Sequence, residues 1–229
     1  MLAVSAASKE VLRNEGQNSS FLPDSQESGI FLSAIVRSVA IILAMKNEPP
    51  DLHETELSSE TVFKGRLMHV KLDRVRLPDG GESTREYIVH PGAVVVIPVF
   101  ENGDLLLERQ HRYPLHRDFI ELPAGKIDAG EADLTCAKRE LEEETGYTAS
   151  EWREVTTIYP CIGYSDERLA FYLARGLVEG SHGRDPDELL EILRVPFGEA
   201  MDWVRTGKIC ETKTVIGLFW LEKMLNQGW

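Results

Sequence analysis

Residues Gly125 to Tyr147 read GKIDAGEADLTCAKRELEEETGY, and the placement of acids in this stretch decides how the chain around it must fold. The spacing predicts a helix over 131–145, stopped by Gly146 at a position where a left-handed residue suits glycine. At about 100° per residue, Leu134, Ala137 and Leu141 fall on one stripe, expected to face a core. Glu140 and Glu144, four apart, point in nearly one direction on the shoulder of that stripe, and Glu143 lies on the next row. Like charges at this spacing cost a helix roughly a few tenths of a kcal/mol, and more when shielded from water. Carboxylates beside a core stripe therefore require a compensating cation. Arg139, four residues before Glu143, can hold that carboxylate by a charge-assisted hydrogen bond. Oxygen ligands with open positions suit magnesium, which keeps several waters and shares itself with phosphates. Gly125 lies in Pro123-Ala124-Gly125, where a side chain would obstruct approach of the backbone to a ligand. A bare Glu-x-x-Glu-Glu run also reads as a solvated helix face, so the flanks must decide.

Outward from this helix the pattern is mixed. From about Thr61 it turns β-like: Val62, Leu67, Val70, Leu72 and Val75 precede the turn Pro78-Asp79-Gly80-Gly81, and Tyr87 to Val89 follow, an antiparallel hairpin region. Ala93 to Phe100 is a continuous apolar run, expected to be a strand buried on both faces, which Asn102-Gly103-Asp104 turns back into Leu105 to Arg109. Val155–Tyr159, Leu169–Ala174 and Leu189–Val195 read as further strands, and Glu199–Arg205 and Lys213–Leu225 as helices. No internal repeats are visible. The expected fold class is α/β (α+β), a mixed sheet with helices packed over it.

The chain has 229 residues, a formal net charge of −13 and 42% hydrophobic residues, the composition of a globular protein. That acidity argues against a nucleic-acid partner, because phosphate backbones need a basic footprint. An anionic substrate would need metal ions or a few placed arginines. Cys136, Cys161 and Cys210 form neither a disulfide framework nor a zinc cluster, which fits reduced thiols and a cytoplasmic location. Ile30 to Met45 is apolar but shorter than the ~20 residues of a spanning helix and carries Arg37. Residues 1–44 read as an upstream extension or dispensable tail; a short membrane-associating or partner-binding helix is the alternative. His111 and His116 lack partners at ligand spacing, and Phe219 and Trp220 read as packing residues.

Gly125, then Glu131, then Arg139-Glu140-Leu141-Glu142-Glu143-Glu144-Thr145-Gly146-Tyr147 resembles the complete Nudix box, GX5EX7REUXEEXGU. If each of its fixed positions matched by chance about one time in fifteen, the pattern would arise on the order of once in 10⁸ placements, which excludes coincidence. The resemblance implies a Nudix α/β/α sandwich over 91–229, preceded by an N-terminal β region over 58–90; residues 1–50 are expected to be a disordered or dispensable extension. Arg109-Gln110-His111-Arg112 is similar to the RQxR segment of the ADP-ribose pyrophosphatase subfamily. Phe119 to Gly125 resembles the stretch by which that subfamily leads into the box, and Gly163-Tyr164-Ser165-Asp166-Glu167 resembles its turn. A proline usually precedes the glycine of that turn; here the residue is Ile162.

The resemblance implies hydrolysis of the diphosphate bond of ADP-ribose or a related nucleoside-diphosphate sugar, giving AMP and a sugar phosphate. It implies two to three Mg2+ ions (Mn2+ as a substitute), held by Glu140, Glu144, the carbonyl of Ala124 and a later carboxylate. That later group, also the catalytic base, is assigned to Glu188 in Asp185 to Glu191, with Asp187 and Glu191 in reserve; Ser181 to Pro186 reads as a lid. Glu143 is the second catalytic carboxylate. Substrate contacts are assigned to Arg85, Arg109, Arg112, Glu121, Gly125 and Glu167, with Glu121 near the adenine end and Arg109 and Arg112 sharing one face of a strand. Gly125, Glu131, Arg139 and Gly146 are structural. A homodimer with exchanged N-terminal regions is implied as well. The rivals are a Nudix hydrolase acting on GDP-sugars, dinucleoside polyphosphates or other nucleotides, a membrane-tethered version, and a non-catalytic ADP-ribose sensor.

Overall fold

Strand β4 (Ala93–Pro98) sets the layering, because all of it is buried. Its side chains alternate between two cores, as a pleated strand requires. Val94 and Val96 pack with Leu106, Cys136, Ala137 and Leu141, while Val95 and Ile97 pack with Leu107, Phe171, Leu218 and Leu221. The computed structural model describes residues 49–180 and 189–227. From His53 onward these form one compact unit.

β4 pairs in parallel with β9 (Leu169–Glu179) and antiparallel with β7 (Ala124–Lys126); β9 pairs in turn with β8 (Tyr147–Ile158). The mixed sheet runs β7-β4-β9-β8, beside an antiparallel sheet of β10 (Leu190–Pro196), β5 (Asp104–Arg112) and β6 (Arg117–Glu121). Helix α1 (Asp133–Glu140) covers one side of β4, β7 and β9. On the other side lie α2 (Phe197–Arg205) and α3 (Thr212–Gln227), so the α/β/α sandwich expected from sequence is the architecture found. A third, antiparallel sheet of β1 (Thr55–Lys64), β2 (His69–Arg76) and β3 (Glu82–Val89) precedes it. Among the described residues no helix is long and apolar enough to cross a membrane.

Several boundaries differ from the sequence expectation. β1 starts before Thr61 and is exposed throughout, so no apolar alternation marks it. β8 begins at Tyr147, well before Val155, because this edge strand is largely polar and half solvated. The helix expected over 131–145 is α-helical only from Asp133 to Glu140 and then makes one π-helical turn, Leu141–Thr145. The hydroxyl of Thr145 donates to the carbonyl of Leu141 at 2.5 Å, which satisfies that carbonyl within the wider turn. Its buried face is also turned relative to the expected stripe. Cys136, Ala137, Glu140, Leu141 and Glu144 are buried, whereas Leu134 is 38% exposed. The carboxylates thus sit within the buried face, and Leu134 falls off its edge. Residues 1–48, including the apolar segment Ile30 to Met45, and 181–188, including the expected lid, Asp187 and Glu188, lie outside the described residues.

Leu141 is fully buried where α1 meets β4. Leu141→Ala should therefore lower the free energy of unfolding by about 2–5 kcal/mol, measured by urea denaturation.

Candidate active site

The site is built where α1 lies against β7. Only Gly125 can occupy its position: a Cβ there would stand 1.8 Å from Cδ of Glu140. The close approach expected from sequence is therefore real, but the group that approaches is the Glu140 carboxylate. The preceding strand residue fixes the second glutamate, since the amide of Ala124 donates to Oε2 of Glu144 at 3.0 Å. Glu140 and Glu144 are 9% and 7% exposed, two acids buried in one wall.

One guanidinium holds the surrounding carboxylates in place. Arg139 donates to Glu131 at 3.0 and 2.9 Å, to Glu140 at 2.8 Å and to Glu143 at 2.9 Å. It also donates to the carbonyl of Lys126 at 3.2 Å, tying α1 to β7. The result is asymmetric. Glu131, bonded by Arg139 and by the amide of Asp128, is held down to about 2, while Arg139 is pushed above its ordinary value, first by Glu131. Burial, followed by the neighbouring Glu131 and Glu140, pushes the Cys136 thiol up to about 12, so it is inert at neutral pH. Gly146, at φ 77°, ends the π-helical turn in the left-handed region, as the sequence predicts. Arg168 then pins the start of α1 through a two-pronged contact with Asp133 at 2.6 and 2.8 Å.

In front of this wall opens a cleft of about 670 Å³, lined by Ala124, Gly125, Arg139, Glu140 and Glu144 on one side. Gln110, Arg112 and Lys213 line it from β5 and α3, and His90, Cys161 and Glu167 from the loops. The donor set fits a hard divalent cation: two buried carboxylates beside a strand backbone. Among the described residues no three His, Cys, Asp or Glu side chains converge to enclose an ion. The remaining positions would fall to water and phosphate oxygens, the arrangement magnesium prefers.

The sequence model of the NUDIX domain matches residues 89–211. The chain belongs to the Nudix family. Residues 54–88 match the model described as the nucleoside diphosphate sugar hydrolase N-terminal domain. An ADP-ribose pyrophosphatase of Bacillus subtilis is 36% identical over 75% of this chain and 94% of its own length. A GDP-mannose pyrophosphatase of Pectobacterium atrosepticum is 29% identical over 80% of this chain and 97% of its own. Among solved structures, one titled as an ADP compounds hydrolase superposes with a TM-score of 0.69 at 26% identity, over 79% of this chain and 99% of that one.

Within this Nudix hydrolase the expected substrate residues divide. Arg112 and Glu167 line the cleft, but Arg109 does not. Positions 109 and 112 are an odd number apart on a strand, so they face opposite ways. Arg109 is bonded instead to Glu191 at 2.6 Å and lies near Asp118, on the outer face with His111. Gln110 takes the inward position beside Arg112. Arg85, bonded to Glu54 at 2.8 Å, lines a separate hollow of about 410 Å³ with Tyr87, Tyr159 and Tyr164. Glu121 is wholly buried and cannot meet a substrate directly; its oxygens accept from Arg112 at 2.8 and 2.7 Å and from Lys213. Lys213 was hidden from sequence reasoning because its helix reads as packing; a lysine at the first turn of an otherwise apolar helix was the available signal.

Two outcomes test this geometry. Gly125→Ala should displace Glu140 and weaken binding of a divalent cation by roughly 10–100-fold in calorimetric titration, with the fold retained. Glu131, depressed from 4.5 to about 2, contributes stability that is present above its unfolded value and lost as pH falls through the folded one. The stability difference between wild type and Glu131→Gln should therefore be largest above about pH 5 and vanish towards about pH 2, followed by denaturation at each pH.

Proposed function

We propose that the protein hydrolyses the diphosphate linkage of ADP-ribose or a closely related nucleoside-diphosphate sugar, releasing AMP and a sugar phosphate. The observation that carries this reading is the pairing, in one cleft, of two buried carboxylates with Arg112 and Lys213 opposite. That pairing suits an anionic substrate bridged to its enzyme by cations. The cleft, about 670 Å³, is of the size that takes a whole nucleotide-sugar. Glu140, Glu144 and the carbonyl of Ala124 would hold two to three magnesium ions, or manganese in their place. Bound there, such ions neutralise phosphate oxygens and make water a nucleophile at neutral pH.

The chain's own groups then divide the remaining work. Arg139 fixes the orientation of Glu140 and Glu143, so neither carboxylate reorganises as charge develops. Arg112 binds the anionic substrate, and Glu167 borders the same cleft. Glu188 is assigned the transfer of the water's proton and a share of the metal, with Glu143 as the second catalytic acid. We further place the protein in the cytoplasm as a homodimer with exchanged N-terminal regions. Its three free thiols support the first, and the fully exposed β1, with Leu57, Val62 and Phe63 in solvent, supports the second. Action on GDP-sugars is the second reading, favoured by the likeness to the GDP-mannose pyrophosphatase. The complete set of box carboxylates favours turnover over sensing.

A hydrolysis screen with magnesium, comparing ADP-ribose, GDP-mannose, diadenosine polyphosphates and nucleoside triphosphates, should give AMP and ribose 5-phosphate from the first, abolished by a chelator. Glu144→Gln should lose roughly 100-fold or more in kcat without unfolding. Full activity of that variant would sink the metal assignment.

A further inference from the structure

Glu121 sits at the end of β6 with none of its surface exposed, yet it lies one residue layer behind the cleft. Both its oxygens are occupied. Oε1 accepts from Nε of Arg112 at 2.8 Å, and Oε2 accepts from Nη2 of Arg112 at 2.7 Å and from Nζ of Lys213. The two cations come from β5 and from the first turn of α3, segments about a hundred residues apart, and both line the cleft.

The attachment of α3 keeps this geometry stiff. The amide of Leu122, next to Glu121, donates to the hydroxyl of Thr214 at 2.9 Å. Glu211 accepts from the amides of Lys213 and Thr214 at 2.9 and 3.0 Å and lies 3.2 Å from Nζ of Lys213. Strand and helix are therefore registered on either side of the carboxylate. A guanidinium has five N–H groups in a fixed plane. Two are consumed by Glu121, and the remaining edge, which includes Nη1, is left for a ligand. Burial by itself would push the Glu121 carboxyl up, but the bonds from Arg112 and the charge of Lys213 hold it below its ordinary value. It is charged in the working protein.

We propose that Glu121 is a positioning residue: it makes no contact with substrate but clamps Arg112 and Lys213 so that their free donors face the phosphates in the cleft. This rests on the functional reading above and adds to it the group that sets the cation geometry. A buried charge tied to two cations is a rigid mount, and its removal leaves two long side chains free to swing or to pair with Glu140 and Glu144 across the cleft.

The test is a double-mutant cycle on the full chain with ADP-ribose and magnesium. Glu121→Gln and Arg112→Gln should each raise KM by about 10-fold or more, with kcat changed much less. The loss in the double variant should fall well short of the product of the two single losses, because Glu121 acts in part through Arg112. Multiplied losses, or an unchanged KM in Glu121→Gln, overturn the inference. Glu121→Asp, which keeps the charge on a shorter stem, serves in the same cycle where Glu121→Gln does not fold. A wild type that turns over neither ADP-ribose nor GDP-mannose overturns the functional reading instead, and the positioning role falls with it.

Discussion

Burying two carboxylates against the backbone of a strand is the constraint that the rest of the structure accommodates. Glu140 and Glu144 cannot face solvent, because the amide of Ala124 and the missing side chain of Gly125 draw them into the wall between α1 and β7. Desolvated charges are costly unless each is bonded. For Glu140 the compensation comes from Arg139, one guanidinium that also reaches Glu131 and Glu143, and for Glu144 it comes from the amide of Ala124. Glu131 is the counterweight: it takes two of those bonds and so orients the guanidinium for the other two acids. The π-helical turn belongs to the same accommodation. A wider turn at functional sites is a recurring device, and here it carries Glu144 at its inner face before Gly146 releases the chain.

Much of this was legible in the sequence, and the reasons are local. Gly125, Glu131, Arg139, Glu140, Glu144 and Gly146 are close in the chain, and helical periodicity relates most of them without any knowledge of tertiary structure. β4 was equally readable, since a strand buried on both faces has no polar positions to disguise it. The buried face of α1 was misplaced for one physical reason. Periodicity places apolar residues inward, whereas this helix turns its acids inward and lets Leu134 reach solvent.

What the sequence concealed lies in parity and in distance. Arg109 and Arg112 look equivalent in a basic cluster, but a strand alternates, so one faces the cleft and the other pairs with Glu191. Glu121 looks like a substrate group because it adjoins the box, yet its partners come from a preceding strand and from the last helix. No local pattern reveals such a network. Polar edge strands were similarly mute: β1 is exposed throughout, and the alternation of β8 is broken by a register shift between Glu154 and Thr156.

Lys213 has a consequence for how the protein comes into being. It is the last of the described residues to line the cleft, and the carboxylate it neutralises was made some ninety residues earlier. A chain still short of α3 would carry at Glu121 a buried charge with one of its two cations absent. During synthesis the electrical assembly of the site is thus deferred until α3 has been made, and a chain truncated before that helix would keep the entire sequence motif while lacking one of the two cations that balance Glu121.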